Sequence, residues 1–359
     1  MTGPAADVLV AGAGLSGLTA AADLVAAGRR VLVVEPRTRV GGRTWTIDGN
    51  GGGRFDLGAT WHWEGQGEVA ALAARLHVEA FPQPAGGSVL HEPGDGAPPE
   101  EVVIAPGPEA RRFAGGTQQL CERLAAGLPE GSVRLGWRVN ALTLAADGVE
   151  ATLNDAAGET AMVAAGAVVV AVPPRLVLQD VWFTPALLPE VAGVLEATPT
   201  WMAEALKCVA VYDSPFWRDA GHSGTVFSDT GPLAEIHDAS EPGGPAALWG
   251  FVALDYDWRT LTPAERTPAV LEQLARLFGP AAADPVQYLE RDWSADPNTC
   301  EDQHRHVEVA AYGHPTLAEP LWDGRLVWAG TETAADGGGH LEGAVVAGRR
   351  AARLLLSST

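Results

Sequence analysis

Asp7-Val8-Leu9-Val10-Ala11-Gly12-Ala13-Gly14-Leu15-Ser16-Gly17 is the stretch on which the fold turns. Residues 7–11 are a short apolar run, the pattern of a buried parallel strand. A Gly-x-Gly-x-x-Gly follows, then an Ala/Leu helix from about Leu15 to Ala27 that stops at Gly28. A second buried strand, Arg30-Val31-Leu32-Val33-Val34, ends in Glu35, 18 residues beyond Gly17. The whole is a βαβ unit with a dinucleotide-binding signature in its proper context. Gly12 permits the tight turn, Gly14 lets backbone approach a pyrophosphate, and Gly17 lets helix and strand pack closely. Glu35 accepts ribose hydroxyls. The helix N-terminus at Leu15 and Ser16 offers free N–H groups and its dipole to phosphate. A plain glycine-rich turn is the alternative, and it would not need the strand, the helix and the acidic residue together.

Around this unit the chain runs to 359 residues, more than one core usually spans, so two domains are expected. With 47% hydrophobic and 19% charged residues it can bury a sizeable core. A formal charge of −21 without any basic run argues against a nucleic-acid partner. Cys121, Cys208 and Cys300 are odd in number, far apart and outside CxxC spacing. Neither a disulfide framework nor a metal site is expected, and a reducing compartment fits. The N-terminus has no basic segment followed by an apolar stretch. The uncharged run 160–174 is shorter than the roughly 20 residues a membrane helix needs. The expectation is a cytoplasmic protein without a membrane partner.

Residues 81–108 are rich in Pro and Gly and hold Val89-Leu90-His91 and Val102-Val103-Ile104, which read as a hairpin outside the core. Helical pattern returns at 116–126, and strands are expected at 133–135, 149–153 and 168–172, the last closed by Pro173-Pro174. Residues 176–290 mix strands at 206–212 and 248–254 with a helix after Thr262-Pro263. Val327-Trp328-Ala329 is a last buried strand and 342–355 a last helix. The dinucleotide domain is therefore expected in three pieces, 1–76, 112–175 and 292–359. A substrate domain takes 77–111 and 176–291.

Further motifs narrow the class. They are Gly41-Gly42-Arg43, Asp56-Leu57-Gly58-Ala59, Gly115-Gly116, the run from Val168 to Pro174, Lys207 in Ala205-Leu206-Lys207-Cys208-Val209, Phe216-Trp217 and Trp293. The most specific are Gly330-Thr331-Glu332-Thr333-Ala334 and Glu342-Gly343-Ala344-Val345. On these residues the chain resembles the flavin monoamine oxidase family, which includes polyamine and L-amino acid oxidases, across nearly its whole length. The resemblance implies an α/β fold: a Rossmann-like FAD-binding domain of the GR2 type, with an inserted α+β substrate domain containing a mixed sheet. It implies FAD, with Gly42 and Arg43 by the pyrophosphate and the backbone of Val139 at adenine. Gly58, Ala59, Thr60 and Trp61 would pass beside the isoalloxazine, with Trp293 near it. Gly330, Thr331 and Glu332 would lie by the phosphates and ribityl chain, and Leu341 and Ala344 at the pyrimidine edge, where a helix N-terminus can stabilise negative charge.

Lys207 is odd in a buried strand, because an unpaired buried ammonium is costly. In the family this lysine is hydrogen-bonded through water to flavin N5. The alternative is a strand-edge lysine with its tip in solvent. The chain departs from the family at the two aromatic positions that cage the substrate amine, which fall on His340 and near Gln303. Both could hydrogen-bond a substrate, and His340 could serve as acid or base, or merely as a spacer after Gly337-Gly338-Gly339. Trp61 and Trp63 are expected to line the pocket, while His304 and His306 read as surface residues. Cys300 lies out of register with the cysteine that carries covalent flavin in some members, so FAD is expected to be non-covalent. The chain is shorter than typical members, which implies a reduced or more open pocket.

The resemblance implies oxidation of an amine, hydride passing from its α-carbon to N5 and dioxygen returning the flavin to its oxidised state with release of hydrogen peroxide. Rival readings are a dehydrogenase or desaturase acting on C–C or C–O bonds of a small metabolite, and a flavin-binding protein without turnover. The oligomeric state is open, a homodimer included.

Overall fold

The computed structural model describes residues 6–94, 96–105, 107–253, 256–300 and 312–357. β1 (Ala6–Ala11), α1 (Leu15–Ala26) and β2 (Val31–Glu35) form the predicted unit, with the two strands parallel. β1 also pairs in parallel with the long strand Thr160–Val170, and Leu326–Trp328 extends the sheet beyond it. Thr160–Val170 has two duties. Its second half serves the parallel sheet, while its first half continues antiparallel into Gly148–Asp155 and Trp137–Ala145. Both faces of the parallel strands are covered, which is why they are apolar throughout. Val8, Val10, Val31 and Val33 pack on Leu18 and Leu24 of α1 and on Val345 and Leu355 of the last helix, Leu341–Ser357. Leu9, Ala11 and Val34 pack on Leu142, Ala151 and Leu153 of the antiparallel strands.

A second, seven-stranded mixed sheet runs in the order Gln287–Asp292, Leu206–Tyr212, Ala246–Val252, Leu233–Asp238, His222–Ser228, Ser88–Glu92, Glu100–Val102. Strand alternation gives it two different faces. Leu206, Cys208, Ala210 and Leu248 pack on the helix Pro263–Phe278 through Val270 and Leu274. That helix starts at a capping box of Thr262 and Glu265. Val209, Val211, Ala247 and Trp249 face the other way, onto Phe55 and Leu57.

The structure corrects several sequence readings. The 89–104 segment is a hairpin, but Ser88–Glu92 also pairs in parallel with His222–Ser228, and Leu90 and Glu92 are buried. Glu92 can be buried because Arg276, Gln273 and Ser228 all bond to its carboxylate. The 168–172 strand ends at Val170, and the 248–254 strand is Ala246–Val252. Trp182–Thr184, beyond the expected boundary at 175/176, pairs within the first sheet. Strands His222–Ser228, Leu233–Asp238 and Gln287–Asp292 carry too many polar residues to read as strands from pattern alone, and Trp137–Ala145 is a further strand the sequence reading did not place. No described helix is long and apolar enough to cross a membrane.

Candidate active site

A cavity of about 680 Å³ opens at the carboxyl ends of β1 and β2 and runs to the Trp249 face of the second sheet. That volume lies in the roughly 300–1,000 Å³ range of ligand clefts. The carboxyl edge of a parallel sheet is where α/β folds bind ligands, because helix N-termini converge there.

The three signature glycines have separable physical reasons. Gly12 has φ +105°, and a Cβ there would lie 2.8 Å from the Ala171 carbonyl oxygen. A Cβ at Gly17 would stand inside van der Waals contact with the Gly12 carbonyl oxygen. The protein's own packing requires both glycines, and Gly17 does not line the cavity. Gly14 does line it, and a Cβ there would meet nothing nearer than the Gly41 carbonyl oxygen at 3.9 Å. The protein leaves that space free for a ligand. Gly14 caps α1 with no side-chain hydrogen bond, and Leu15 and Ser16 of the first turn line the cavity. The cradle therefore fits a dinucleotide diphosphate.

Glu35, at the end of β2, lines the same end and is 2% exposed. Its carboxylate accepts the Ala13 N–H at 2.9 Å and the Arg37 N–H at 3.1 Å, so it is held firmly in place. Arg37, unmarked in the sequence reading, braces it and in turn pairs with Asp296 and Thr299. Val139 lines the cavity beside a register irregularity in its strand, the kind of bulge that re-aims backbone. Gly42 and Arg43 lie along the middle, and the Arg43 Nη1 pairs with Glu332 Oε1 at 2.6 Å. Glu332 is fully buried behind Arg43 instead of lining the cavity, and its Oε2 has no partner among the described residues. Gly330 and Thr331 border the cavity, and the Thr331 hydroxyl ties to the His340 carbonyl at 2.8 Å. Leu341 and Ala344, at the N-terminal turn of the last helix, complete that wall.

At the other end stands Lys207, on a strand paired on both sides. It is 2% exposed, which excludes the strand-edge reading with its tip in solvent. Its Nζ donates to the Gly58 carbonyl at 3.1 Å and to the Thr60 hydroxyl, and lies 4.2 Å from the Trp249 ring centre. Burial pulls its pKa down to about 7, and Asp56 partly counters this. Pairing places Lys207, Phe251 and Glu235 side by side on the cavity face of three strands. The Gly58–Trp61 segment is thus clamped against the second sheet by the lysine. Lys207 is also the only lysine in the chain. That count alone would have singled it out.

Trp61 and Trp63 line the chamber with His340, whose ring centre is 5.4 Å from that of Trp63 and 4.6 Å from that of Trp201. The His340 Nδ1 lies 3.1 Å from the Gly338 carbonyl. A carbonyl only accepts, so Nδ1 carries the proton and Nε2 of the neutral ring is left as an acceptor. Trp293 borders the cavity but is 3% exposed and anchored by its N–H to the Leu57 carbonyl at 2.8 Å. Gln303, His304 and His306 lie outside the described residues. The sequence reading missed Trp201, Glu235, Trp249 and Phe251. Only strand register, which brings 235 and 251 beside 207, reveals the last three. Among the described residues no group of three metal-ligating side chains occurs.

His62, between the two chamber tryptophans, is 3% exposed and stacks on Phe113 with ring centres 4.6 Å apart. Neither ring nitrogen has a partner among the described residues. Burial, assisted by nearby Arg111, pulls its pKa down to about 4. The unfolded chain takes up a proton near 6.5 that the folded protein resists until about 4. Folded stability should therefore fall as pH drops through that window, by up to about 2 kcal/mol after allowing for partial screening. His62→Phe is expected to flatten this part of the acid slope in urea melts at stepped pH. An equally steep slope in the variant would remove His62 as the cause.

A glycine cradle at the carboxyl edge of a parallel sheet, opening into an aromatic chamber floored by a second sheet, defines a two-domain FAD-dependent oxidoreductase. The chain belongs to the flavin containing amine oxidoreductase family, whose profile matches residues 15–108 and 99–356. A flavin-containing amine oxidase of Danio rerio is 27% identical over 98% of this chain and 86% of its own. A putrescine oxidase of Kocuria rosea is 28% identical over 98% of this chain and 95% of its own. That second alignment runs over 464 positions for a chain of 359 residues, so the relative carries stretches with no counterpart here. The structure of cyclohexylamine oxidase from Brevibacterium oxydans shares the fold with a TM-score of 0.81, at 24% identity and 99% coverage of both chains. The protein is accordingly an FAD-dependent amine oxidoreductase.

Proposed function

We propose that an amine is oxidised in the chamber between Trp61, Trp63, Trp201 and His340, with FAD held non-covalently along the Gly14 end of the same cavity. The observation that carries this reading is the single lysine of the chain, buried at the chamber end of the cavity. Bound there, FAD supplies a two-electron acceptor for the hydrogen on the amine α-carbon. The chain's residues do the rest. The tryptophans exclude water and offer flat apolar walls. The Glu235 carboxylate, half-buried in the chamber wall, attracts an amine that arrives as an ammonium. His340, fixed between two indoles, presents Nε2 as an acceptor for the amine N–H or its departing proton. His340 thus takes a cage position by hydrogen bonding, and aromatic surface comes from Trp63 and Trp201. Lys207 holds the loop from Gly58 to Trp61 and puts positive charge at its edge.

Non-covalent FAD is supported by the cysteines, none of which lines the cavity among the described residues. Cys121 and Cys208 are buried, and burial pushes both thiols up to about 12. In this reading dioxygen is the final electron acceptor and hydrogen peroxide the measurable product. Acid precipitation should release all the flavin into the supernatant. Anaerobic mixing with a panel of amines should bleach the flavin absorbance, and readmitting air should restore it with peroxide. Bleaching only by a non-amine metabolite would favour C–C or C–O oxidation, and no bleaching by any compound would leave an inert flavin binder.

A further inference from the structure

Among the described residues the Lys207 ammonium has no carboxylate in contact. Its oxygen partners are the Gly58 carbonyl and the Thr60 hydroxyl, both neutral. A buried cation that meets only neutral acceptors loses its proton readily. The groups that face it decide the outcome. Cys208 is its neighbour in the strand, Glu235 lies two strands away on the same face, and Arg112 and Asp56 belong to the segments packed above it. Arg112 repels the charge, and Cys208 is held neutral by burial. Of the two carboxylates that attract it, Asp56 acts more strongly than Glu235.

Asp56 is 5% exposed, and burial pushes its pKa up, while the Lys207 charge and the groups bonded to its carboxylate pull the other way and favour the anion. Its Oδ1 accepts the Thr46 hydroxyl at 2.5 Å and the Thr117 N–H at 2.9 Å, and its Oδ2 accepts the Thr117 hydroxyl at 3.2 Å. Three donors to one carboxylate offset much of its lost hydration. The Thr117 hydroxyl also lies 3.4 Å from the Thr60 carbonyl, and Thr60 is the residue whose hydroxyl receives the lysine. A polar path therefore runs from carboxylate to ammonium, Asp56, Thr117, Thr60, Lys207, with the one Thr117 hydroxyl proton shared between the Asp56 carboxylate and the Thr60 carbonyl. Both groups are buried, so the attraction between them is weakly screened by water.

We propose that Asp56 is the positioning residue that keeps Lys207 charged, acting through Thr117 and Thr60 as the counter-charge the ammonium never touches. One carboxylate then sets two things at once: the path of the loop from Leu57 to Trp61, and the charge at the end of it. The inference deepens the reading of Lys207 given above, and its test does not depend on turnover.

Because the chain has a single lysine, FAD-loaded protein grown on lysine isotope-labelled at Cε gives one lysine resonance, and its titration reports Lys207 directly. Asp56→Asn preserves shape and can still bond both threonines. Its Lys207 midpoint is expected to fall by about one pH unit or more, a tenfold shift in the protonation equilibrium. Thr117→Val keeps the Asp56 charge and breaks the hydroxyl link. It should lower the midpoint by less, and it carries the test alone if Asp56→Asn does not fold. An unchanged midpoint in whichever variant folds overturns the proposal. A shifted midpoint in a protein that oxidises no amine would leave this inference standing and remove the proposed function. Unchanged titration with intact amine oxidation would do the reverse.

Discussion

Gly17→Ala is expected to give a protein that is less stable and nearly free of flavin, whereas Gly14→Ala should fold normally and still be colourless. The two variants separate packing from ligand space. At Gly17 an added methyl would overlap the Gly12 carbonyl and press on the Ala171 Cβ at 3.1 Å, so α1 has to lift away from β1. Overpacking of this kind costs about 1–3 kcal/mol, which is a few degrees in Tm for a chain of this size. The lift also displaces the helix N-terminus that serves the phosphates, so FAD affinity falls together with stability. At Gly14 the backbone is extended and the nearest atom to an added Cβ is 3.9 Å away. Nothing in the protein opposes alanine there, and the melt of the flavin-free protein should be unchanged. The methyl stands in the cradle itself, so flavin occupancy should drop more than about tenfold through lost close approach. Melting curves and flavin-to-protein absorbance ratios read both effects. Full flavin in Gly14→Ala would show that the cradle is not where the diphosphate lies.

Lys207→Met should leave folding and flavin content intact while lowering turnover about 10²-fold, the usual cost of deleting one preorganised electrostatic group. Methionine matches the length of the lysine stem and fills the same space beside Trp249. The stability change carries a definite sign with pH. Lys207 titrates near 7 in the folded protein and near 10.5 when unfolded, so the unfolded chain holds the extra proton between those values. Folding stability then rises with pH through that window, and the methionine variant should lose this part of the slope. Stopped-flow reduction by amine and reoxidation by air, measured separately, show which half-reaction the ammonium serves. Parental rates in both halves would end its assignment to catalysis.

The first βαβ unit was legible because its determinants are local: apolar strands, glycines at fixed offsets, and an acidic residue at the end of the second strand. The second sheet was harder. Its strands carry charges that become acceptable only through partners elsewhere in the chain, such as Glu92 with Arg276 and Glu290 with Arg266. Pattern reading takes such residues for solvent-facing loops. The chamber was half legible for the same reason. Trp61, Trp63 and His340 sat beside recognisable motifs. Trp201 instead sits in a turn, next to a Met202 whose φ is +59°, and its contact with His340 depends on the folded course of the chain. Asp56 was visible as part of a motif, but its bond to Thr117 and its route to Lys207 were not.

The alternation of the second sheet has a practical meaning for anyone wishing to change what this enzyme accepts. Positions 235, 237, 249 and 251 look into the side occupied by the lysine, while 206, 208, 210 and 248 look into the helix. A library confined to the first set reshapes the reactive side and leaves the scaffold's main hydrophobic seam untouched. Substrate range can be varied at the half-buried positions 235 and 251, whereas 237 and 249 are buried and Trp249 belongs to a core cluster with Phe55 and Val209, so changes there also cost stability.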